Sequence, residues 1–230
     1  PGTICLTPAA GSKADPGPTT SREGSPVLDH DLIQRTLAAA LRTGGDLAEI
    51  FVEDKASSNA VFDDGKVENL SSGRDRGAGI RVIVGDTTGF AHTADLSEAG
   101  LAAAAEAAAA AARSGGGGVR EVSLERVQAA RPNDVAVLPE TVAKDRKVEL
   151  LRRADDAARS AGGAISQVTV RYGDSRRRIL VANSDGLLAE DDQVRMLLTV
   201  MAVASGDTGM QTGYQSLGRT VGFELFDRYD

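Results

Sequence analysis

Residues 48–93 read AEIFVEDKASSNAVFDDGKVENLSSGRDRGAGIRVIVGDTTGFAHT, and their punctuation decides the fold class. Apolar and β-branched residues recur in short runs: Ala48 to Ser57, Ala60 to Asp63, Lys66 to Ser72, Ala78 to Val84 and Thr87 to Thr93. Asp64-Gly65, Gly73 and Gly85-Asp86 separate them. Connections this short join antiparallel neighbours, because a parallel crossover needs a much longer return path. The stretch predicts a meander.

On its N-terminal side, Leu28, Leu32, Ile33, Leu37 and Leu41 recur at helical spacing. Ser25 is placed to cap this helix, Pro26 to open it and Gly44-Gly45 to stop it. On the C-terminal side, Leu96 to Arg113 predicts an alanine-rich helix. Asp95 and Glu98 are spaced as a capping box and Gly115 to Gly118 form the stop. Alanine combines high helix propensity with a small side chain, so this helix can pack closely on a sheet. Val119 to Pro139 has weak periodicity and is expected to cross the surface. A third helix follows from Val142 to Ala161, with Val148, Leu151, Ala154 and Ala158 on one side.

Strands return at Ile165 to Tyr172, Arg177 to Ala182, Leu187 to Glu190 and Val194 to Ala204, with a turn at Asn183-Ser184-Asp185-Gly186. Helix-then-meander therefore occurs twice, at residues 27–93 and 142–204. The fold class expected is α+β, an antiparallel sheet with helices on one face. A doubly wound nucleotide-binding fold would need single strands alternating with helices. Residues 1–26 contain Pro1, Pro8, Pro16, Pro18 and Pro26 among Gly, Ser and Thr, which is linker composition, and are expected to be disordered. The organisation expected is thus that segment, a domain at 27–222 and, at 223–230, the start of a following segment of a longer protein.

Composition narrows the function. Hydrophobic residues make up 41% and charged residues 26% of the 230, which is ordinary globular usage. A net charge of −7, with no basic face interleaved with aromatics, argues against direct contact with nucleic acid. The single cysteine, Cys5, rules out an internal disulfide and suits a reducing compartment, so the cytoplasm is expected. The longest apolar run, Leu101 to Ala112, falls short of the roughly 20 residues of a membrane helix and is broken by Glu106, so no membrane partner is expected.

The motifs of catalysis are incomplete. His30 and His92 are the only histidines, and neither has the second histidine or the glutamate that a zinc hydrolase places a helical turn away. Gly77-Ala78-Gly79 lacks the third glycine of a phosphate loop and instead suits a tight turn or close backbone approach at the entry to a strand. The carboxylate pairs Asp63-Asp64, Asp155-Asp156 and Asp191-Asp192 read as solvated faces, and Arg176-Arg177-Arg178 as a guard on a strand edge. Gly206 to Gly213 reads as a flexible loop. The sequence names no catalytic, cofactor-binding or metal-binding residue.

Taken in order, several stretches resemble the N-terminal half of the TldD/PmbA family of zinc metallopeptidase subunits, once described as modulators of DNA gyrase. They are Gly45 to Val52, Asp64 to Glu68, Gly77 to Ile83 with Thr88 to Ala91, Asp95-Leu96-Ser97, Lys147 to Asp155 and Ile179 to Gly186. The Gly-rich stretch at 206–213 with Gly222 to Phe226 is more similar to TldD than to PmbA. The resemblance implies a cytoplasmic zinc metallopeptidase acting on unfolded or short peptides, with a TldD-type subunit paired to a PmbA-type one. Its metal ligands, a His-Glu-x-x-x-His helix and a distant cysteine, would lie beyond residue 230, so this chain alone is expected to be inactive and to bind no zinc. An antiparallel sheet could still grip an extended peptide by strand addition. Two other readings are a stand-alone peptide-binding or subunit-assembly module, and a purely structural interface domain.

Overall fold

The computed structural model describes residues 26–112, 122–128, 134–207 and 209–228. Helix α1 (His30–Ala40) precedes strands β1 (Leu47–Asp63), β2 (Lys66–Val84) and β3 (Thr87–Thr93). Helix α2 (Glu98–Ala111), the short strand β4 (Glu125–Gln128) and helix α3 (Lys144–Ser160) follow. Strands β5 (Ile165–Asn183), β6 (Leu187–Gly206) and β7 (Gly209–Arg219) lead to a 3₁₀ turn at Phe223–Asp227. All seven strands form one sheet in the order β3-β2-β1-β5-β6, with β4 and β7 sharing the far side of β6. Every pairing is antiparallel except β4 with β6. The strand order is symmetric about the central β1–β5 pair, so the two helix-then-meander units expected from sequence are the two halves of one α+β sheet.

The strands are longer than the sequence runs suggest. Ala48 to Ser57 and Ala60 to Asp63 are one strand, as are the two runs within β2, within β5 and within β6. Gly73 interrupts nothing, because it pairs with Ser57 inside β2. Side chains alternate faces along a strand, and one face carries all three helices. α1 and α2 cover a core at one end built on Ile50, Val52, Ile80, Val82, Leu180 and Leu188. α3 and the turn at 223–227 cover a second core at the other end, with Phe62, Leu151, Val170, Tyr172, Phe223 and Phe226.

Between the two cores the same face is polar. Asp54 accepts from Arg74 of β2 and Arg178 of β5, and Arg176 pairs with both Asp192 and Glu140. Apolar alternation fails across this belt, which is why the sequence runs break there. It also corrects the expected role of the arginine triplet: β5 is flanked by β1 and β6, so these arginines guard no edge.

Local corrections follow the same logic. The cap of α1 is Asp29, not Ser25: its carboxylate accepts from the backbone N–H groups of Asp31 at 3.0 Å and Leu32 at 3.3 Å. Pro26 therefore lies ahead of the helix. The cap of α2 is Ser97, and Glu98 pairs with Arg35 on α1 instead of closing a capping box. Alanine packing is confirmed closely: a Cβ on Gly89 of β3 would sit 1.9 Å from the Ala108 carbonyl oxygen of α2. Gly77 and Gly79 lie inside β2 rather than at its start, Gly77 against Thr93 and Gly79 beneath the Phe90 ring. On α3 the fully buried face is Lys147, Leu151 and Asp155, one residue from the expected Val148 stripe. Part of the segment expected to cross the surface, at 125–128, is a sheet strand, and Gly206 to Gly213 is the β6–β7 turn and the start of β7. The Gly115–Gly118 stop and Cys5 lie outside the described residues.

Candidate functional site

Helix α3 brings a charged group into the second core. Lys147 Nζ donates to Asp174 Oδ2 at 2.7 Å and to Ser58 Oγ at 2.8 Å, and the Tyr172 hydroxyl donates to Asp174 Oδ2 at 2.6 Å. Ser58 also donates to Asp174. Burial first, then the Asp174 carboxylate, pushes the Tyr172 phenol well above its ordinary range, so it stays a donor. Ser58, with its proton on a carboxylate and its oxygen facing an ammonium, is not an activated nucleophile. The cluster ties α3 to β1 and β5. A cavity of about 250 Å³ opens beside it, between Leu70 to Gly73 of β2 and Glu140, Val142 and Lys144.

The carboxylates expected to be solvated divide. Asp155 is buried, pairs with Arg159 at 3.0 Å, and leaves Oδ1 without a partner, which corrects the expectation for it. Asp63 and Asp64 anchor a hairpin: Asp64 adopts φ 45° before Gly65 at φ 81° and pairs with Arg159. Neither histidine joins a donor cluster. His30 is exposed in the first turn of α1, and His92 is exposed on β3 beside Phe90.

Among the described residues the outer sides of β3, β4 and β7 and the first part of β2 have no strand partner, and their chemistry differs. β3 pairs only with Ala78 to Val84, leaving Lys66 to Gly77 of β2 open on that side. This stretch carries Lys66, Glu68, Arg74, Asp75 and Arg76, charges of the kind that discourage edge pairing. β7 has no charged residue and no proline from Gly209 to Gly218, and Met210 and Tyr214 stand 78% and 79% exposed. The face opposite the helices is bare of them and carries, besides these two, exposed Phe51, Phe90 and Leu197. No helix among the described residues is long and apolar enough to cross a membrane.

The described residues thus form a helix-backed antiparallel sheet with an open face and free edges. Residues 48–112 match domain 1 of the PmbA/TldA metallopeptidases, and residues 138–230 match the central domain of the same family. The chain belongs to the PmbA/TldD metallopeptidase family. A metalloprotease of Methanothermobacter thermautotrophicus is 34% identical over 187 residues, covering 80% of this chain and 39% of the relative. A TldD-homologue metalloprotease of Haemophilus influenzae is 26% identical over 182 residues, covering 79% and 38%. The chain thus spans about two fifths of the length of these relatives. Among solved structures, a modulator of DNA gyrase from Thermotoga maritima superposes with a TM-score of 0.68 at 19% identity, covering 86% of this chain and 46% of its own. TldE from Thermococcus kodakarensis does so with 0.67 at 19%, covering 82% and 43%. Both show the same fold.

Proposed function

We propose that this chain is the N-terminal, non-catalytic part of a TldD-like zinc metallopeptidase subunit of the cytoplasm, which processes unfolded or short peptides together with a PmbA-type partner. The observation that carries the reading is the match to domain 1 and the central domain of the family. The described residues include no group of three or more His, Cys, Asp or Glu that could hold the metal that metalloprotease relatives imply, so no catalytic step is assigned to them. Relatives named TldD homologues support the subunit type.

The contribution of this chain is positional. The free side of β7 offers unpaired backbone N–H and C=O groups without guarding charge, and strand addition there would hold an extended peptide with little demand on its sequence. The same edge supports the second reading, an assembly or peptide-binding module, because it could receive a strand of a partner subunit.

The test is co-expression of the full-length gene product with and without its PmbA-type partner, followed by zinc analysis and cleavage of an unstructured peptide. The expected result is zinc in the full-length protein, partner-dependent cleavage, and zinc content unchanged by a joint His30→Ala and His92→Ala substitution. Loss of zinc in that variant would overturn the reading. A photo-crosslinking residue at Tyr214 separates the two roles of β7: labelled peptide supports substrate grip, and labelled partner subunit supports assembly.

A further inference from the structure

We infer that the helix-free face of the sheet carries a groove that binds an acidic, extended polypeptide segment. The groove, of about 710 Å³, lies across β1, β5, β6 and the end of β7, lined by Lys55, Ser57, Asn59, Ser175, Arg195 and Gly218. Its floor is built from small side chains. Gly173 sits between Asn59 and Leu197 in the ladder, and Ser57 sits opposite Ser175. A ligand backbone can therefore approach the sheet closely along this line.

The charge around that floor is unbalanced in one direction. Elsewhere on the sheet Arg74, Arg81, Arg176, Arg177 and Arg178 each pair with a carboxylate within 4 Å. Lys55, Arg195 and, two residues from Gly173 on the same strand face, Arg171 make no ion pair among the described residues. Two carboxylates lie close by: Asp75, opposite Lys55 on β2, makes no ion pair with it, and Asp174, which also lines the groove, is taken up by Lys147. Two of these unpaired cations, Lys55 and Arg195, line the groove itself, in a chain of net charge −7. Their complement is carboxylate, and a groove of this size takes a chain segment rather than a single anion.

A polypeptide fits better than a nucleic acid. The lining contains no aromatic side chain on which bases could stack, and the net negative charge opposes a long polyphosphate backbone. The inference does not depend on the peptidase reading, since it concerns binding to the chain by itself.

The experiment is fluorescence anisotropy on the 230-residue chain at low salt with three probes: a labelled peptide of consecutive glutamates, its glutamine counterpart, and single-stranded DNA of similar length. The acidic peptide is expected to bind most tightly, to weaken with added salt, and to lose about tenfold or more in affinity in Lys55→Ala/Arg195→Ala. Lys66→Ala, which removes one positive charge at the far end of β2, is expected to bind like the wild type, and Lys55→Ala alone to bind more weakly than it. Circular dichroism melting checks that the double variant folds, and Arg195→Gln alone, at an exposed side chain, serves if it does not. Equal binding of the glutamine peptide, tighter binding of DNA, absence of binding, or an unaffected Lys55/Arg195 variant would each overturn the inference.

Discussion

Lys147 Nζ stands 2.7 Å from Asp174 Oδ2 in a site where the two side chains are only 6% and 5% exposed. A buried charge pair stabilises little against a well-packed apolar alternative, but removing one partner strands the other. Lys147→Ala is therefore expected to cost about 3–5 kcal/mol, read from urea unfolding. A joint Lys147→Met and Asp174→Leu exchange is expected to recover only part of that loss, because the Ser58 and Tyr172 hydroxyls lose their acceptor. A single substitution costing no more than an exposed ion pair would show that water reaches the site.

The belt between the two cores makes stability depend on acid. The hydrogen bond from Arg74 outweighs burial and, with Arg178, holds the Asp54 carboxyl down from 3.8 to about 2. Because the folded value is lowered, the unfolded chain takes up this proton first. The stabilisation is present above about pH 4 and is lost as pH falls towards 2. Discounted for the exposed flank of Arg74, it amounts to about 1–2 kcal/mol. Unfolding free energies measured across that interval should fall in the wild type, and Asp54→Asn should lack this component of the fall.

Two glycines in strands are predicted to behave oppositely. A Cβ at Gly89 would collide with the backbone of α2 at Ala108 and Ala112, so Gly89→Ala is expected to cost about 3 kcal/mol or more by overpacking. A Cβ at Gly73 meets nothing within 4 Å, and Gly73→Ala is expected to be neutral or to stabilise by about 0.5 kcal/mol. Thermal melts of the two variants compare them directly.

Glu224 fastens the chain after β7 to the segment ahead of α3. Burial alone would raise its pKa, yet backbone N–H groups of Val137 at 2.8 Å, Gly222 at 3.0 Å and Ala136 at 3.2 Å donate to its carboxylate and hold it below its ordinary value. Glu224→Gln replaces a doubly accepting anion with a group that has one acceptor, at a cost of about 2 kcal/mol. Amide exchange at Ala136 and Val137 is expected to accelerate in this variant, whereas unchanged protection there would contradict the role.

Much of the fold was legible, and the strands that sequence split in two share one cause. Where a strand packs under a helix, as at Ile80 to Val84 or Val168 to Tyr172, alternation gave its position. Where it crosses the belt, at Asp54 to Ser58, Arg74 to Arg76 and Asp174 to Arg178, ion pairs replace apolar contacts, and the pattern reads as punctuation. The buried cluster was hidden for a similar reason. Lys147, Ser58, Tyr172 and Asp174 lie on three elements, and a lysine on a charged helix carries no sign of its burial. Its only trace in the sequence is the i, i+4, i+8 spacing of Lys147, Leu151 and Asp155 on one helical face. The open groove left no signal, because which cations lack partners depends on strand register.

The most direct test of the account is equilibrium dialysis of the 230-residue chain against zinc, with peptide cleavage assayed on the dialysed sample and on the full-length protein beside it. The account predicts zinc and partner-dependent cleavage in the full-length protein, and neither stoichiometric zinc nor cleavage in the 230-residue chain. A tightly held zinc or turnover in that chain would contradict it, because the account places the metal ligands outside these 230 residues.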